Sequence, residues 1–284
     1  MIASAAFVAA ALTITASARA IEPGELVVLN VASDAPLTAV HARAFNTDIA
    51  GFVVDEDASD PRQWRVLIGI DLDVAPGRHA VVVTATSSAG PVESTYQLVV
   101  LPKKFPTRRL TVDEAFVNPP SSAAPRIAAE VKEQQAIWEA SARSRLWSAP
   151  FVRPVAEAAN SAFGTRSVFN GQPRSAHGGA DFQSPAGTPV KAPNAGRVAL
   201  AKNLYFSGNT VIIDHGLGVF SFLAHLSRID VAAGDSVVPG EIVGLVGATG
   251  RVTGPHLHWT VRVSGARVDP LALLALLGPT SQRR

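Results

Sequence analysis

The sequence predicts a mainly β protein: an N-terminal immunoglobulin-like sandwich, a bridging helix and a C-terminal domain of short strands. Glycine (22) and proline (20) punctuate the 284 residues densely, and only 17% of residues are charged. Most apolar positions fall in short runs, some with clear period-two alternation, between turn signals, which favours strands over long surface helices. A chain of this length suggests about two domains, because single cores usually stop growing near ~250 to 300 residues. The 47% hydrophobic content can fill both.

Residues 1–20 are apolar or small from Ile2 to Ile14 and close on Ala18-Arg19-Ala20, the small-x-small pattern at which export signals are cut. They are expected to form a signal peptide, with Ile21 opening the mature chain. The apolar run is too short for a comfortable ~20-residue span, and no other stretch is long enough to cross a bilayer. The expectation is an exported protein of the periplasm or cell envelope with no stable membrane span.

Residues 21–102 alternate strand-like runs (Leu26 to Val31, Ala39 to Phe45, Trp64 to Leu72, Ala80 to Thr86, Thr95 to Leu101) with turn signals such as Ala75-Pro76-Gly77 and Gly90-Pro91. In the third run Trp64, Val66, Ile68, Ile70 and Leu72 share one side at period two, as a half-buried strand requires. His41 and His79 are isolated here and read as ordinary surface or packing residues. Residues 103–150 begin as a linker, with Lys103-Lys104, Arg108-Arg109, Pro119-Pro120 and Ser121-Ser122 and little apolar periodicity. A helix then follows from about Arg126 to Trp147, capped by Ser121 or Ser122, with Ile127, Val131, Gln134 and Trp138 on one packing stripe. Residues 151–284 return to short strands, of which Gly196 to Ala201, Asn209 to Asp214, Val219 to His225, Ile242 to Val246 and His256 to Val263 are the clearest, before a terminal helix over Pro270 to Leu277.

The chain has no cysteine, so any metal site must be built from histidine and carboxylates. Residues 1–150 carry 13 Lys and Arg against 16 Asp and Glu, whereas residues 151–284 carry 12 against 7. Only the second half is basic, and its arginines are scattered with few aromatics among them. That pattern poorly supports a nucleic-acid surface and suits an anionic polymer.

His256-Leu257-His258 places two imidazoles on one face of a strand, about 6.5 to 7 Å apart at a rise of ~3.3 Å per residue. One can bind a metal while the other faces a substrate. His177-Gly178-Gly179-Ala180-Asp181 adds an imidazole and a carboxylate, separated by small residues that let the backbone bend so that both converge. Two histidines and one carboxylate make an N/O site that suits Zn²⁺, with a fourth position left for water. His225 and His256 then remain as general base or oxyanion stabiliser. His215 and Asp214 read as structural residues at a strand end, and Trp259 as core packing on the face opposite the two histidines.

The run Arg174-Ser175-Ala176-His177-Gly178-Gly179-Ala180-Asp181-Phe182, followed by Ala186-Gly187-Thr188-Pro189-Val190, Val211 to Gly216, Ala224-His225-Leu226-Ser227 and Thr249 to Trp259, resembles the lysostaphin/LytM-type zinc endopeptidases over about Phe163 to Leu274. The resemblance implies a mostly antiparallel β-sheet metallopeptidase domain with one zinc per chain, held by His177, Asp181 and His258. It implies that His225 and His256 are the catalytic pair and that the substrate is a peptide cross-link of bacterial peptidoglycan. The D-alanyl to diamino-acid bond is the favoured target and glycyl-glycine bridges are the alternative. Leu223 stands where many relatives have Tyr, and Thr260 where an acidic residue is common, which bears on subsite preference. The competing expectation is a non-catalytic wall-binding or amidase-activating relative, but such proteins usually lack the zinc ligands. The segment Val231 to Gly244 also resembles biotinyl and lipoyl carrier hairpins, yet the only lysines of this half, Lys191 and Lys202, sit in no fitting turn.

Overall fold

The computed structural model describes residues 10–55, 57, 59, 61–111, 114–159 and 163–279. Its N-terminal part is a sandwich of two four-stranded antiparallel sheets. One contains β1 (Leu12–Ala18), β2 (Leu26–Ser33), β5 (Phe52–Val53) and β6 (Gln63–Gly69) in the order β1-β2-β6-β5; the other contains β3 (Leu37–Ala44), β4 (Thr47–Ala50), β7 (Gly77–Ser87) and β8 (Gly90–Val100) in the order β4-β3-β7-β8. The inward set includes Val27, Leu29, Val31, Val40, Ala42, Trp64, Val66, Ile68, Val81, Val83 and Ala85, all buried together. The period-two side of the third run is therefore the core side. His41 is exposed, and His79 packs edge-on to Phe45 while bonding the Ala75 carbonyl at 2.8 Å. Both are peripheral residues, as expected.

The leader-like segment takes a different form. Residues 1–9 lie outside the described residues, but Leu12–Ala18 is strand β1, paired along its whole length with β2 from Leu12 opposite Ser33 to Ala18 opposite Val27. Leu12, Ile14, Ala16 and Ala18 pack on the sandwich core while Thr13, Thr15 and Ser17 are exposed. Small apolar residues suit a leader; their strict alternation with Thr and Ser suits an edge strand. Cutting after Ala20 would remove that strand.

The segment expected to be a linker also carries structure. Thr107–Leu110 forms β9, followed by a single helical turn, α1 (Glu114–Val117), and then helix α2 (Ala124–Glu139). The N-terminus of α2 has Pro125 in its first turn and no side-chain cap, so neither Ser121 nor Ser122 caps it. It ends at Glu139, eight residues short of Trp147, which instead enters the core edge-on to Phe52. Its packing face is Ile127, Glu130, Gln134, Ile137 and Trp138; Val131 is 60% exposed and lies off the stripe. Ile137 and Trp138 pack against Leu200, Leu204, Ile212 and Phe220 on the back of the C-terminal sheet.

The C-terminal part is built from β10 (Arg166–Phe169), β11 (Gln172–Pro173), β12 (Ala180–Phe182), β13 (Pro189–Lys191), β14 (Gly196–Leu204), β15 (Gly208–Gly216), β16 (Val219–Ile229), β17 (Ser236–Val237), β18 (Ile242–Val246), β19 (Leu257–Val263), β20 (Ala266–Val268) and helix α3 (Pro270–Leu277). Its main sheet runs β12-β19-β16-β15-β14-β17, with β18 joining β13 to β16 and β20 on β19, and all its pairs are antiparallel. A separate three-stranded sheet, β11-β10-β9, contains the one parallel pair among the described residues, β9 on β10.

The two parts share apolar packing. Leu26, Val28, Phe52 and Leu67, on the outer face of the β2–β6 sheet, join Trp147, Phe151, Val263, Val268 and Leu273 in one cluster. This explains the unbroken Leu26-Val27-Val28-Leu29 run, because a strand buried on both faces need not alternate. Around this contact Arg267 grips Asp71 through Nε and a second guanidinium nitrogen, at 3.1 and 2.5 Å, and Arg19 bridges Glu25 and Asp269 at 2.7 Å each. Burial alone would push the Asp71 carboxyl up, but the hydrogen bonds and charge of Arg267 outweigh it and hold the group below the usual carboxylate range.

Candidate active site

The antiparallel register assembles the site. Asp181 on β12 stands directly opposite His258 on β19, and Ala224 on β16 flanks His258 from the other side. Directly opposed residues share a sheet face, so Asp181 Oδ1 and His258 Nδ1 meet at 2.9 Å. His177 arrives from the loop before β12, fixed at both ends of its peptide unit: its N–H donates to Thr165 O (2.9 Å) and its carbonyl accepts from Gly164 (2.7 Å). Its Nε2 lies 3.0 Å from His258 Nδ1 and 3.1 Å from Asp181 Oδ1. Three ligand-type atoms thus converge on one point, as the spacing led one to expect.

The glycines between His177 and Asp181 are not equivalent. A Cβ on Gly179 would stand 2.5 Å from the Trp259 carbonyl and 2.7 Å from the His258 ring, whereas one on Gly178 would meet only Arg267 at 3.6 Å. Gly179 is therefore required by the close approach of the two ligand segments; Gly178 is not.

His225 and His256 complete the group. Their rings lie 4.9 Å apart, His225 is 5.9 Å from the ring of His258, and His256 Nε2 is 3.7 Å from Asp181 Oδ1. His225 sits in the left-handed region at φ 65°, where the ladders of β16 with its neighbours slip register. That conformation is costly for a residue with a Cβ and tends to persist where surrounding structure imposes it. Here Ser207 O receives the His225 N–H at 2.9 Å. His225 Nδ1 bonds Thr249 O and His256 Nδ1 bonds Gly254 O, both at 2.9 Å. Since a carbonyl can only accept, Nδ1 carries a proton in each ring, and in neutral His225 Nε2 therefore keeps its lone pair.

Burial, then the neighbouring charge of His258, pushes the His225 imidazole down to about 3, so it is neutral at pH 7. Burial likewise lowers His258, against the pull of Asp181, and keeps it in the form that binds metals. Burial by itself would raise Asp181; the hydrogen bonds and charges of His177 and His258 carry it far below the usual carboxylate range. Two imidazole nitrogens and an ionised carboxylate oxygen, with His258 Nε2 held at 2.9 Å by Thr260 Oγ1, fit Zn²⁺ and its demand for an oriented ligand ring. His177 Nε2, His258 Nδ1 and one Asp181 oxygen would hold the ion.

All five residues line a cleft of about 810 Å³. Thr260, two residues beyond His258, orients it and could have been found from the period of the strand. His215 is fully buried, with Nδ1 bonded to Ala195 O at 2.7 Å and Nε2 to Ser221 Oγ at 2.9 Å, and Asp214 ties down Ser141, Ala142 and Gly216. Both are structural, and the fully buried Trp259 is core, as expected.

Residues 175–270 match the model of peptidase family M23. A crystal structure from Pseudomonas aeruginosa, described as an M23 peptidase, superposes with a TM-score of 0.69 and 33% identity over 89% of this chain and 95% of that one. Among curated proteins, the peptidoglycan DD-endopeptidase ShyA of Vibrio cholerae is 44% identical over 95 residues, and the DD-carboxypeptidase/endopeptidase Mpg of Neisseria meningitidis 43% over 97. Each of these matches covers 34% of this chain, which spans only 22% of the relative's length. With the fold shared over almost the whole of the Pseudomonas structure and the His-Asp-His cluster in place, the chain belongs to peptidase family M23.

Proposed function

We propose that this protein is a zinc endopeptidase of the bacterial cell envelope that hydrolyses peptide cross-links of peptidoglycan, with the D-alanyl to diamino-acid bond as its target. The observation that carries this is the convergence of His177, Asp181 and His258 beside two further imidazoles on one cleft wall. The choice of bond follows the DD-endopeptidase activity in the relatives' names. A complete ligand set favours an enzyme over a non-catalytic wall-binding relative.

Zinc in this site supplies a Lewis acid that polarises the scissile carbonyl and acidifies a water. His225, neutral and with Nε2 unprotonated, is placed to accept a proton from the attacking water; its backbone bond to Thr249 holds the ring in the accepting tautomer. His256, on the Asp181 side of the cleft, stands where it can steady the oxyanion or the leaving group. Asp181 remains a carboxylate throughout.

The test is digestion of cross-linked sacculi of known chemistry with product identification by mass spectrometry, before and after chelation and with zinc restored. Release of uncross-linked monomers ending in D-alanine is the expected result. Intact cross-links with the zinc-loaded protein would rule the reading out.

A further inference from the structure

The cleft extends beyond the metal-ligand cluster to a second small sheet. Besides His177, Asp181, His225, His256 and His258 its walls include Arg108, Ser167, Phe169, Arg174 and Arg251, and among the described residues the only lining carboxylate is Asp181, already committed to the ligand cluster. This end of the cleft is cationic.

The register says which side chains point there. On β9, Arg108 pairs with Ser167 of β10, and across β10 the Arg174 N–H bonds the Ser167 carbonyl at 2.8 Å. Arg108 and Phe169 line only the cleft, while Thr107, Arg166 and Val168 line only a neighbouring hollow, which shares Ser167 and Arg174 with the cleft. Arg108 is thus turned to the cleft, and its neighbour Arg109, paired with Val168, is turned away. Arg108 is exposed and makes no hydrogen bond or ion pair among the described residues. Arg174 is anchored by bonds from one guanidinium nitrogen to Val117 O (2.6 Å) and Gln172 Oε1 (3.0 Å), yet its Nε is buried without a partner. Arg251 lies over the rings of Phe169 and Phe206, its guanidinium affinity for protons lowered by burial and by the charge of Arg174. The fold holds cations together here, an arrangement that an anion would relieve.

We propose that Arg108, with Arg174 behind it, forms a subsite for a free carboxylate on the peptide cross-link, supplied by the strand that joins the two domains. This rests on the proposed peptidoglycan substrate. A guanidinium with a free fork matches a carboxylate in two parallel hydrogen bonds. Because β9 and Arg174 lie outside residues 175–270, the subsite would be built by segments outside the matched family domain.

The test uses two synthetic cross-linked dimers that differ only in whether the free carboxylate of the diamino acid is left as the acid or converted to the amide. Each is made in cleavable form and in a form whose scissile amide is reduced to an amine. KM and kcat are measured on the first form, and Kd by calorimetry on the second, for wild type, Arg108→Gln and Arg109→Gln. Wild type is expected to bind the acid about tenfold more tightly than the amide; in Arg108→Gln that ratio falls toward one, through KM with kcat within about twofold, and in Arg109→Gln it stays at the wild-type value. A wild-type ratio of one, an Arg108→Gln ratio equal to wild type, or an equal fall in Arg109→Gln would overturn the subsite. Failure of wild type to cleave either dimer, with the Arg108-dependent ratio in Kd intact, would overturn the proposed reaction and leave the subsite standing.

Discussion

His215 and His225 lie in the same domain on adjacent strands, both buried and both driven toward the neutral form, to about 4 and about 3. One is structural and the other is placed in the chemistry. Burial and proton affinity do not separate them; the bonding of the second ring nitrogen does. His215 uses both nitrogens inside the protein, on Ala195 and Ser221, whereas His225 uses one on Thr249 and offers the other to the cleft. A shifted imidazole marks a functional site only when one of its atoms has been left without internal work.

The largest expected effect breaks the site at its ligands. Alanine at His177, Asp181 or His258 leaves at most two protein ligands, so elemental analysis should find zinc lost and sacculus hydrolysis abolished together. Alanine at His225 or His256 should keep zinc near one per chain while turnover falls by ~10² to 10⁴. Zinc lost in His256→Ala and kept in His258→Ala would reverse the roles of these two histidines. Next, Gly179→Ala should lose most zinc affinity, because its new Cβ displaces the His258 ring, and Gly178→Ala should bind zinc nearly as wild type; equal behaviour would show that the tight approach at Gly179 does not matter.

His215 sharpens the contrast from the other side. His215→Ala strands the Ala195 carbonyl and the Ser221 hydroxyl and should cost about 2 to 4 kcal/mol in chemical denaturation, with kcat of the folded protein unchanged. A large fall in kcat at undiminished stability would move His215 into the chemistry. The smallest effect concerns the junction. The folded-state affinity of Asp71 for protons is depressed, so its stabilisation is present above the normal carboxylate range and disappears as pH falls through the depressed value. Asp71→Asn should therefore lower the melting temperature modestly at pH 7 and flatten its decline in acid; parallel acid profiles would dissociate Arg267–Asp71 from the pH response.

The sequence made the five site residues legible because each lies in a short contiguous motif and β19 obeys period two. The longer strands of the C-terminal sheet, β14, β15, β16, β18 and β19, were legible as apolar runs, whereas β12, β17 and β20 are too short to show a pattern; α3 was legible too, with Pro270 opening it and Asp269 accepting from Leu271. What escaped depends on partners far away in the chain. β9 is a strand only because β10, nearly sixty residues on, pairs with it, and Lys103 to Arg109 has none of the apolar spacing that a helix or half-buried strand shows alone. β1 was hidden by ambiguity, since Leu12 to Ala18 satisfies the composition of a leader and the alternation of an edge strand. The helix expected to reach Trp147 stops eight residues earlier, at Glu139, and the structure uses Trp147 to join the domains. Gly179 stood out as small, but only the 2.5 Å approach to Trp259 O separates it from Gly178.

The apolar face formed by Leu26, Val28, Phe52 and Leu67 makes the β2–β6 sheet the middle layer of a three-layer body, with the β4-β3-β7-β8 sheet on one side and α3, β19 and β20 on the other. Melting of either flank uncovers that layer, so the whole chain should unfold in a single calorimetric transition. A protease that nicks the connecting segment would then leave two pieces still clasped together, and neither would diffuse away as a free hydrolase.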